Sequence, residues 1–362
     1  MSPAAVGVLD RPHRPGLPPE TGDEAADLAA FLAWEADERE ASRAAAAEYH
    51  RELRRKYGLR PEPATMSTEW GELTNPTIDR DDPARRLTYY LGAHHPSWLN
   101  YSPVPLFISA ASLARYRTTG DRWPVRMGMT WALDSGAFTA LTPAGIAKGD
   151  APWWQHPDEY GGMATRFAEE VGPPDFCAPQ DWPCEPPVRE RTGMTVREHQ
   201  QLTLDNFLYL REEFYFLPWI PVLQGWEADE YLEHAEMYEA AGVDLAAAYR
   251  VGVGSICRRG HVPSIVRVIE QFASRGYRMH GFGVKVTALP LIGHLFASAD
   301  SMAWSDTARR DRIRLPECTH RSKSGELSDC RNCFRWALRW RERVLESLRS
   351  GRPARSSQLA LF

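Results

Sequence analysis

The sequence predicts a parallel α/β fold, a (β/α)8 TIM barrel, on three observations. Short apolar runs alternate with amphipathic stretches from about residue 86 onward, the pattern of strands joined by crossover helices. Eight such runs fit into roughly 220 residues, close to the ~250 that an eight-unit barrel takes. No glycine-rich dinucleotide fingerprint follows any of them, which sets the barrel ahead of a doubly wound open sheet.

The elements can be justified in order. Residues 1–20 hold five prolines and no apolar stretch, and read as a disordered tail rather than a secretory signal. Thr21 stands three residues before Glu24, a capping-box spacing. From Asp23 to Gly58 the chain is rich in Ala, Glu and Arg, with Leu28, Phe31, Leu32, Leu53 and Tyr57 as sparse apolar members. This predicts one long helix or a helix pair, so residues 21–85 are expected to form a helical N-terminal extension. Strands are expected at Leu87–Ala93, Pro105–Ser109, Trp131–Leu133, Asp175–Ala178, Trp219–Leu223, Val243–Tyr249, Arg278–Gly283 and Asp300–Trp304. Helical patterns fall between them at Val196–Phe214, Asp229–Ala241 and Val262–Arg275, whereas the gap from Ala93 to Pro105 is too short for a crossover helix. The barrel is expected over 86–310, a zinc-binding subdomain and C-terminal helix over 311–350, and a tail over 351–362.

Composition narrows the class. The 362 residues include 43% hydrophobic and 25% charged side chains, as in a soluble globular protein. No run of about 18 apolar residues is present, so no membrane span is expected, and a cytoplasmic location follows as the expectation. The six cysteines suit reduced thiols, because a disulfide framework is out of place in a long intracellular chain. The net charge is −5, yet Arg309 to Arg355 holds fourteen Arg and Lys against six Asp and Glu. A basic end on an acidic chain suggests a localised polyanion contact; a solvated Arg-rich helix would look the same.

Barrel enzymes carry their chemistry at the C-terminal ends of the strands, so the residues that follow the runs, and the polar and glycine residues within the last two of them, are the site candidates. They are Asp134 to Phe138, Gln180 and Asp181, Gln224 and Gly225, Gly252 and Gly254, His280 and Gly281, and Asp300. Glycines there would let backbone approach a flat ligand. Singly each is weak: an Asp at a strand end also serves as a helix N-cap, Gln224 suits a satisfied core amide, and Phe138 suits plain packing. Their convergence on one rim is the stronger signal. His94 and His95 either line the site or cap a strand. Cys177 and Cys184, which flank Asp181, read as buried small hydrophobes.

A metal site is legible separately. Cys318 and His320, then Cys330 and Cys333, supply four ligands at spacings that suit a closed tetrahedral zinc site. With four protein ligands no position remains for substrate, so the expected Zn2+ is structural.

Asp134-Ser135-Gly136-Ala137-Phe138 resembles the Asp-Ser-Gly-Gly motif of the tRNA-guanine transglycosylases, with Ala137 in place of the second glycine. Val222-Leu223-Gln224-Gly225 resembles their Val-Gln-Gly motif, and Gly252-Val253-Gly254 their glycine-rich loop. Ala299-Asp300-Ser301 falls where their nucleophile lies. The resemblance covers residues 86–345. Tyr90 to His95, His280 to Gly283 and Asp300 to Ser305 look most like the deazapurine-in-DNA, DpdA-type branch. The superfamily's zinc site also uses three cysteines and a histidine, although here the histidine comes second rather than last.

This resemblance implies a base-exchange pentosyltransferase that replaces guanine in DNA by a 7-deazaguanine of the preQ0 type. A carboxylate can form a glycosyl-enzyme intermediate at C1′, a role that falls to Asp300. Asp134 would manage the protons of the departing and entering bases. Asp181 would read the donor-rich edge of guanine, Gln224 its O6, and Phe138 would stack on the ring, with Gly225, Gly252, Gly254, His280 and Gly281 completing the substrate pocket. Arg309, Arg310, Arg312 and Arg314 are the candidate contacts to DNA phosphates. An ATPase partner protein and a homodimer are further candidate partners, which no residue pattern in the sequence specifies. The alternatives are a transglycosylase acting on tRNA and a non-catalytic zinc protein that binds nucleic acid.

Overall fold

The computed structural model describes residues 87–113, 129–141, 156–256, 262–321 and 325–350. The chain divides into two units, Met1–Pro61 and Glu62–Phe362, and all of these residues belong to the second. The expected tails at 1–20 and 351–362 and the helical extension at 21–85 lie outside the described residues.

The strands are β1 (Thr88–Gly92), β2 (Leu106–Ser109), β3 (Trp131–Asp134), β4 (Val222–Leu223), β5 (Val251–Val253), β6 (Met279–Gly281) and β7 (Ser298–Ser301). They form a curled seven-stranded sheet in the order β3-β2-β1-β7-β6-β5-β4, and every pairing is parallel. The helices are α1 (Ala110–Leu113), α2 (Ala137–Ala140), α3 (Pro157–Val171), α4 (Pro186–Thr192), α5 (Val196–Glu213), α6 (Ala228–Ala240), α7 (Val262–Ser274), α8 (Leu289–Ile292), α9 (Ala303–Arg310) and α10 (Phe334–Ser350). Among the described residues no helix is long and apolar enough to cross a membrane.

Strand alternation builds two cores. Tyr89, Leu91, Ile108, Trp131, Leu133 and Leu223 belong to a large cluster shared with the helices. Tyr90, Phe107, Ala132 and Val222, one residue out of step with them, meet Phe176 and Ile220 in a second cluster. Both faces of the sheet are therefore buried, as a parallel sheet requires.

The expected strand at Asp175–Ala178 makes only isolated bridges through Cys177, to Leu133 and to Trp219. Leu133 N–H donates to Phe176 O at 3.0 Å and Ala178 N–H to Leu133 O at 2.9 Å; Cys177 N–H donates to Pro218 O at 2.9 Å. Pro218 and Pro221 carry no N–H, which shortens the expected Trp219–Leu223 strand to Val222–Leu223.

Two expected strands need correction. Val243–Tyr249 is a loop, and the strand comes after it at Val251–Val253. Asp244 Oδ1 accepts from the N–H groups of both Ala246 and Ala247 at 3.0 Å, a local turn that competes with extension. The run Asp300–Trp304 is likewise divided: β7 stops at Ser301 and α9 starts at Ala303. There Ser301 Oγ accepts from Ala303 N–H at 3.1 Å, and the Trp304 indole donates to Gly92 O at 2.9 Å. The gap after Ala93 holds a 3-10 turn, Pro96–Asn100.

α10 locks this end of the chain to the strands. Its buried face runs through Trp336, Ala337, Trp340, Val344, Leu345 and Leu348, an amphipathic spacing. The Trp336 indole donates to Trp304 O at 2.8 Å, and Arg341 Nε donates to Tyr89 O at 3.1 Å.

Candidate active site and metal centre

The C-terminal ends of β3, β4, β5 and β7, together with the loop after Ala178, bring Asp134, Asp181, Gln224, Gly254 and Asp300 into one neighbourhood. Asp134 closes β3, and its Oδ2 accepts from Gly136 N–H at 3.2 Å. Gly136 turns the chain at a φ of 78°, a conformation that glycine adopts at no steric cost. Burial, followed by the charges of Asp181 and Asp300, pushes the Asp134 carboxyl up to about 8, so it holds its proton at neutral pH.

Asp181 is buried, and each of its oxygens accepts one hydrogen bond. Ser135 Oγ donates to its Oδ1 at 2.7 Å, and Gln224 Nε2 donates to its Oδ2 at 2.6 Å. Burial raises this carboxyl to about 6 against the pull of those two donors. The Asp134 carboxyl is thereby raised further than that of Asp181, a separation of the kind that divides acid and base roles.

Gln224 is 1% exposed and held at every polar atom. Its backbone N–H donates to His234 Nδ1 at 2.8 Å, and burial lowers the His234 imidazole to about 3, keeping it a neutral acceptor. Gln200 Nε2 donates to Gln224 O at 2.9 Å. Ser255 Oγ donates to Gln224 Oε1 at 2.7 Å. A Cβ on Gly254 would stand 2.2 Å from Gln224 Nε2, so this glycine is the floor on which the amide rests. Gly252, Gly225 and Gly281 make room for side chains instead: a Cβ would meet the Phe282 ring, Tyr231, and Val284 with Phe296, respectively.

Asp300 lies on β7 opposite Tyr90 of β1, with its Oδ1 accepting from Gly283 N–H at 2.9 Å. His280 is completely buried beside it. Its Nδ1 contacts Ser298 Oγ at 2.9 Å, and its Nε2 is 3.5 Å from Asp300 Oδ1. Phe176, Phe282, Phe107 and Tyr90 surround the ring at 4.7–6.1 Å between centroids. Burial lowers the His280 pKa against the pull of Asp300.

Other candidates fall elsewhere. Phe138 lies in α2, and its side chain is outside the described ones. His95 caps the 3-10 turn, its Nδ1 accepting from Ser97 N–H at 3.2 Å. Cys177 and Cys184 are buried, and burial pushes both thiols up. Ser135 and Gly283 stand inside quoted motifs, but sequence reading gave neither a role, and it missed Glu185 and Ser255. Ser255 adjoins the Gly252-Val253-Gly254 motif and was within reach of it; a backbone amide such as that of Gly283 carries no residue signature.

Cys318, His320, Cys330 and Cys333 converge, with one ligand atom from each lying within 4.8 Å of all the others. Cys318 Sγ and Cys333 Sγ are 3.7 Å apart, far beyond the ~2.05 Å disulfide bond. That separation is close to the edge of a tetrahedron with ~2.3 Å metal–sulfur bonds. Leu315 N–H donates to Cys330 Sγ at 3.4 Å, a contact that suits a thiolate. The donor set fits a metal ion, and Cys333 directly precedes α10.

The four arginines are not equivalent. Arg309 pairs with Asp306, and Arg310 Nε donates to Asp311 Oδ1 at 2.9 Å. Arg314 Nη2 donates to Leu327 O at 3.1 Å, bracing the metal-site loop. Arg312 is exposed at a φ of 49° and makes no ion pair among the described residues.

No curated protein matches the chain. Residues 85–356 match a family model whose description is DeoxyPurine in DNA protein A. That match takes in every strand among the described residues, the three carboxylates and the Cys–His cluster, and the chain belongs to the DpdA family.

Proposed function

We propose that this protein exchanges guanine in DNA for a 7-deazaguanine base of the preQ0 type, through a covalent glycosyl intermediate on Asp300. The reading is carried by one observation: Asp134 and Asp300 at the strand ends and Asp181 in the loop after Ala178 come together, and burial with the two neighbouring charges raises the Asp134 carboxyl. The target nucleotide must leave the stack to reach them. An Asp300 oxygen attacks C1′ and the bond from C1′ to the purine nitrogen breaks. Its electron pair stays on guanine, which takes the proton of Asp134. The incoming base then attacks C1′, its proton returns to Asp134, and Asp300 leaves as a carboxylate. No water is consumed.

Asp181 and Gln224 read the base in this scheme. Both Asp181 oxygens already accept one hydrogen bond, yet a carboxylate has about four acceptor sites and retains room for the N1 and N2 donors of guanine. His280, neutral and closed off from solvent, backs Asp300, and Phe138 is the proposed stacking ring. Supporting a closed (β/α)8 barrel, the segment around Cys177 hydrogen-bonds to Leu133 on one side and to Pro218 on the other, bridging the two outer strands as an eighth member. In this scheme residues 86–310 are the catalytic barrel and 311–350 a subdomain stapled by structural Zn2+ on Cys318, His320, Cys330 and Cys333. Such an ion contributes folding energy and leaves the base-exchange chemistry to the carboxylates.

The test is nucleoside digestion and mass spectrometry of DNA and tRNA from cells with and without the gene. The reading expects a deazaguanine nucleoside in DNA that disappears with the gene. A deazaguanine lost from tRNA alone would transfer the activity to RNA.

A further inference from the structure

We propose that Ser255 is the positioning residue that fixes which end of the Gln224 amide faces the base, and so sets the preference for a 6-oxo purine. The inference rests on the assignment of Asp181 and Gln224 as the base-reading pair. Ser255 is buried directly after β5, and it adopts a φ of 55°, a left-handed conformation that a Cβ disfavours and a glycine would accept. A side chain kept at such a position points to a role for its hydroxyl.

That hydroxyl is a hub. Cys184 N–H donates to Ser255 Oγ at 2.8 Å, which fixes the oxygen and occupies a lone pair. Its single proton has two acceptors, Gln224 Oε1 at 2.7 Å and Glu185 Oε2 at 3.0 Å. Asp181 only accepts, so the Gln224 amide atom facing its Oδ2 at 2.6 Å is the nitrogen, and the amide oxygen is the end to which the Ser255 hydroxyl donates. A reversed amide would press its oxygen against a carboxylate oxygen and leave its nitrogen to compete for Ser255. Asp181 and Ser255 therefore hold opposite ends of one amide above Gly254. One Gln224 N–H goes to Asp181, and the second is available to an acceptor such as the 6-oxo group of guanine. A 6-amino group presents a donor there and meets a like donor.

Without the Ser255 hydroxyl, Asp181 alone restrains the amide. When a base shares Asp181, that one remaining hydrogen bond holds the amide less firmly, and Gln224 turns its other face to the base more readily. Discrimination between 6-oxo and 6-amino purines falls, whatever happens to stability.

The test is calorimetric binding of guanine and of 2,6-diaminopurine to the full-length protein and to Ser255→Ala and Ser255→Gly. Both variants lack the hydroxyl, but only glycine relieves the backbone conformation, so it also guards against a misfolded alanine variant. The expected result is a guanine preference in the wild type that drops about tenfold in both variants, the scale of one buried hydrogen bond. Unchanged preference in both would overturn the proposal. Loss in Ser255→Ala with retention in Ser255→Gly would also overturn it, by assigning the effect to the backbone. Failure of the wild type to bind either purine would instead remove the base-reading assignment, and this proposal with it.

Discussion

His280 Nε2 stands 3.5 Å from Asp300 Oδ1 while its Nδ1 is tied to Ser298 Oγ at 2.9 Å. The ring is locked in an aromatic box and kept neutral by burial. Asp300 thus rests on a polar but uncharged partner, with a second contact from Gly283 N–H. An imidazolium there would neutralise the carboxylate that must attack C1′. His280→Phe is expected to fill the box and preserve the fold while slowing exchange by roughly tenfold to a hundredfold. Steady-state rates alongside thermal melting check this; unchanged rates would reduce His280 to packing.

The pH dependence follows from Asp134 and Asp181. Both carboxyls are raised, to about 8 and about 6, so the folded state binds protons that the unfolded chain has released. Stability is then greatest below the ordinary carboxylate range. It declines as pH rises through about 6 and on to about 8, by at most ~1.4 kcal/mol per pH unit for each proton. Asp134→Asn should flatten the upper part of this decline and raise the melting temperature more at pH 8 than at pH 5. Exchange by the wild type should fall above about pH 8, where Asp134 loses the proton it donates. A melting temperature that rises between pH 6 and 8 because of Asp134 would contradict the assignment.

Gly254→Ala should strike the base pocket more than the fold. Its Cβ would lie 2.2 Å from Gln224 Nε2, forcing the amide off both Asp181 and Ser255. Guanine affinity is expected to fall at least about tenfold, the scale of one misplaced buried hydrogen bond, with secondary structure retained. Equilibrium binding and circular dichroism decide it; wild-type affinity would remove Gln224 from the pocket.

The metal centre predicts one zinc per chain by elemental analysis, absent from a Cys330→Ser, Cys333→Ser double variant. Chelation should lower the melting temperature by several degrees or more, because structural zinc contributes folding energy. Activity should decline along with folding rather than at once. Immediate inhibition with an unchanged melting temperature would argue for a catalytic ion.

Salt titration of DNA binding separates the arginines. Arg312 makes no ion pair among the described residues, whereas Arg309 and Arg310 are partly neutralised by Asp306 and Asp311. Arg312→Ala should lower the log–log salt slope by roughly one, with a smaller change for Arg309→Ala. Equal, negligible changes would remove this segment from the DNA contact.

Much of this arrangement is legible in the sequence because strand ends and side-chain chemistry leave marks there. Asp134, Asp181, Gln224 and Asp300 stand at or just beyond apolar runs, and the Cys–His cluster is marked by its spacing alone. The misreadings have local causes. Val243–Tyr249 looks apolar enough for a strand, but Asp244 captures two backbone amides and turns it. Trp304 continues an apolar run, yet its ring spans to Gly92 from the start of a helix. Ser255 escapes notice because its significance lies in a φ angle and in three partners from two distant segments, Cys184 with Glu185 and Gln224, none of them encoded locally. Asp306, which comes soon after Asp300 in sequence and suits the same role on paper, is exposed and paired with Arg309 and Arg310.

The most direct test of the central claim is incorporation of labelled guanine into duplex DNA by the purified protein, run beside Asp300→Asn and a matched tRNA substrate. The account predicts label in DNA with the wild type, none in tRNA, and a loss of roughly a thousandfold or more with Asp300→Asn. Label entering tRNA but not DNA, or an Asp300→Asn variant as active as the wild type, would contradict it.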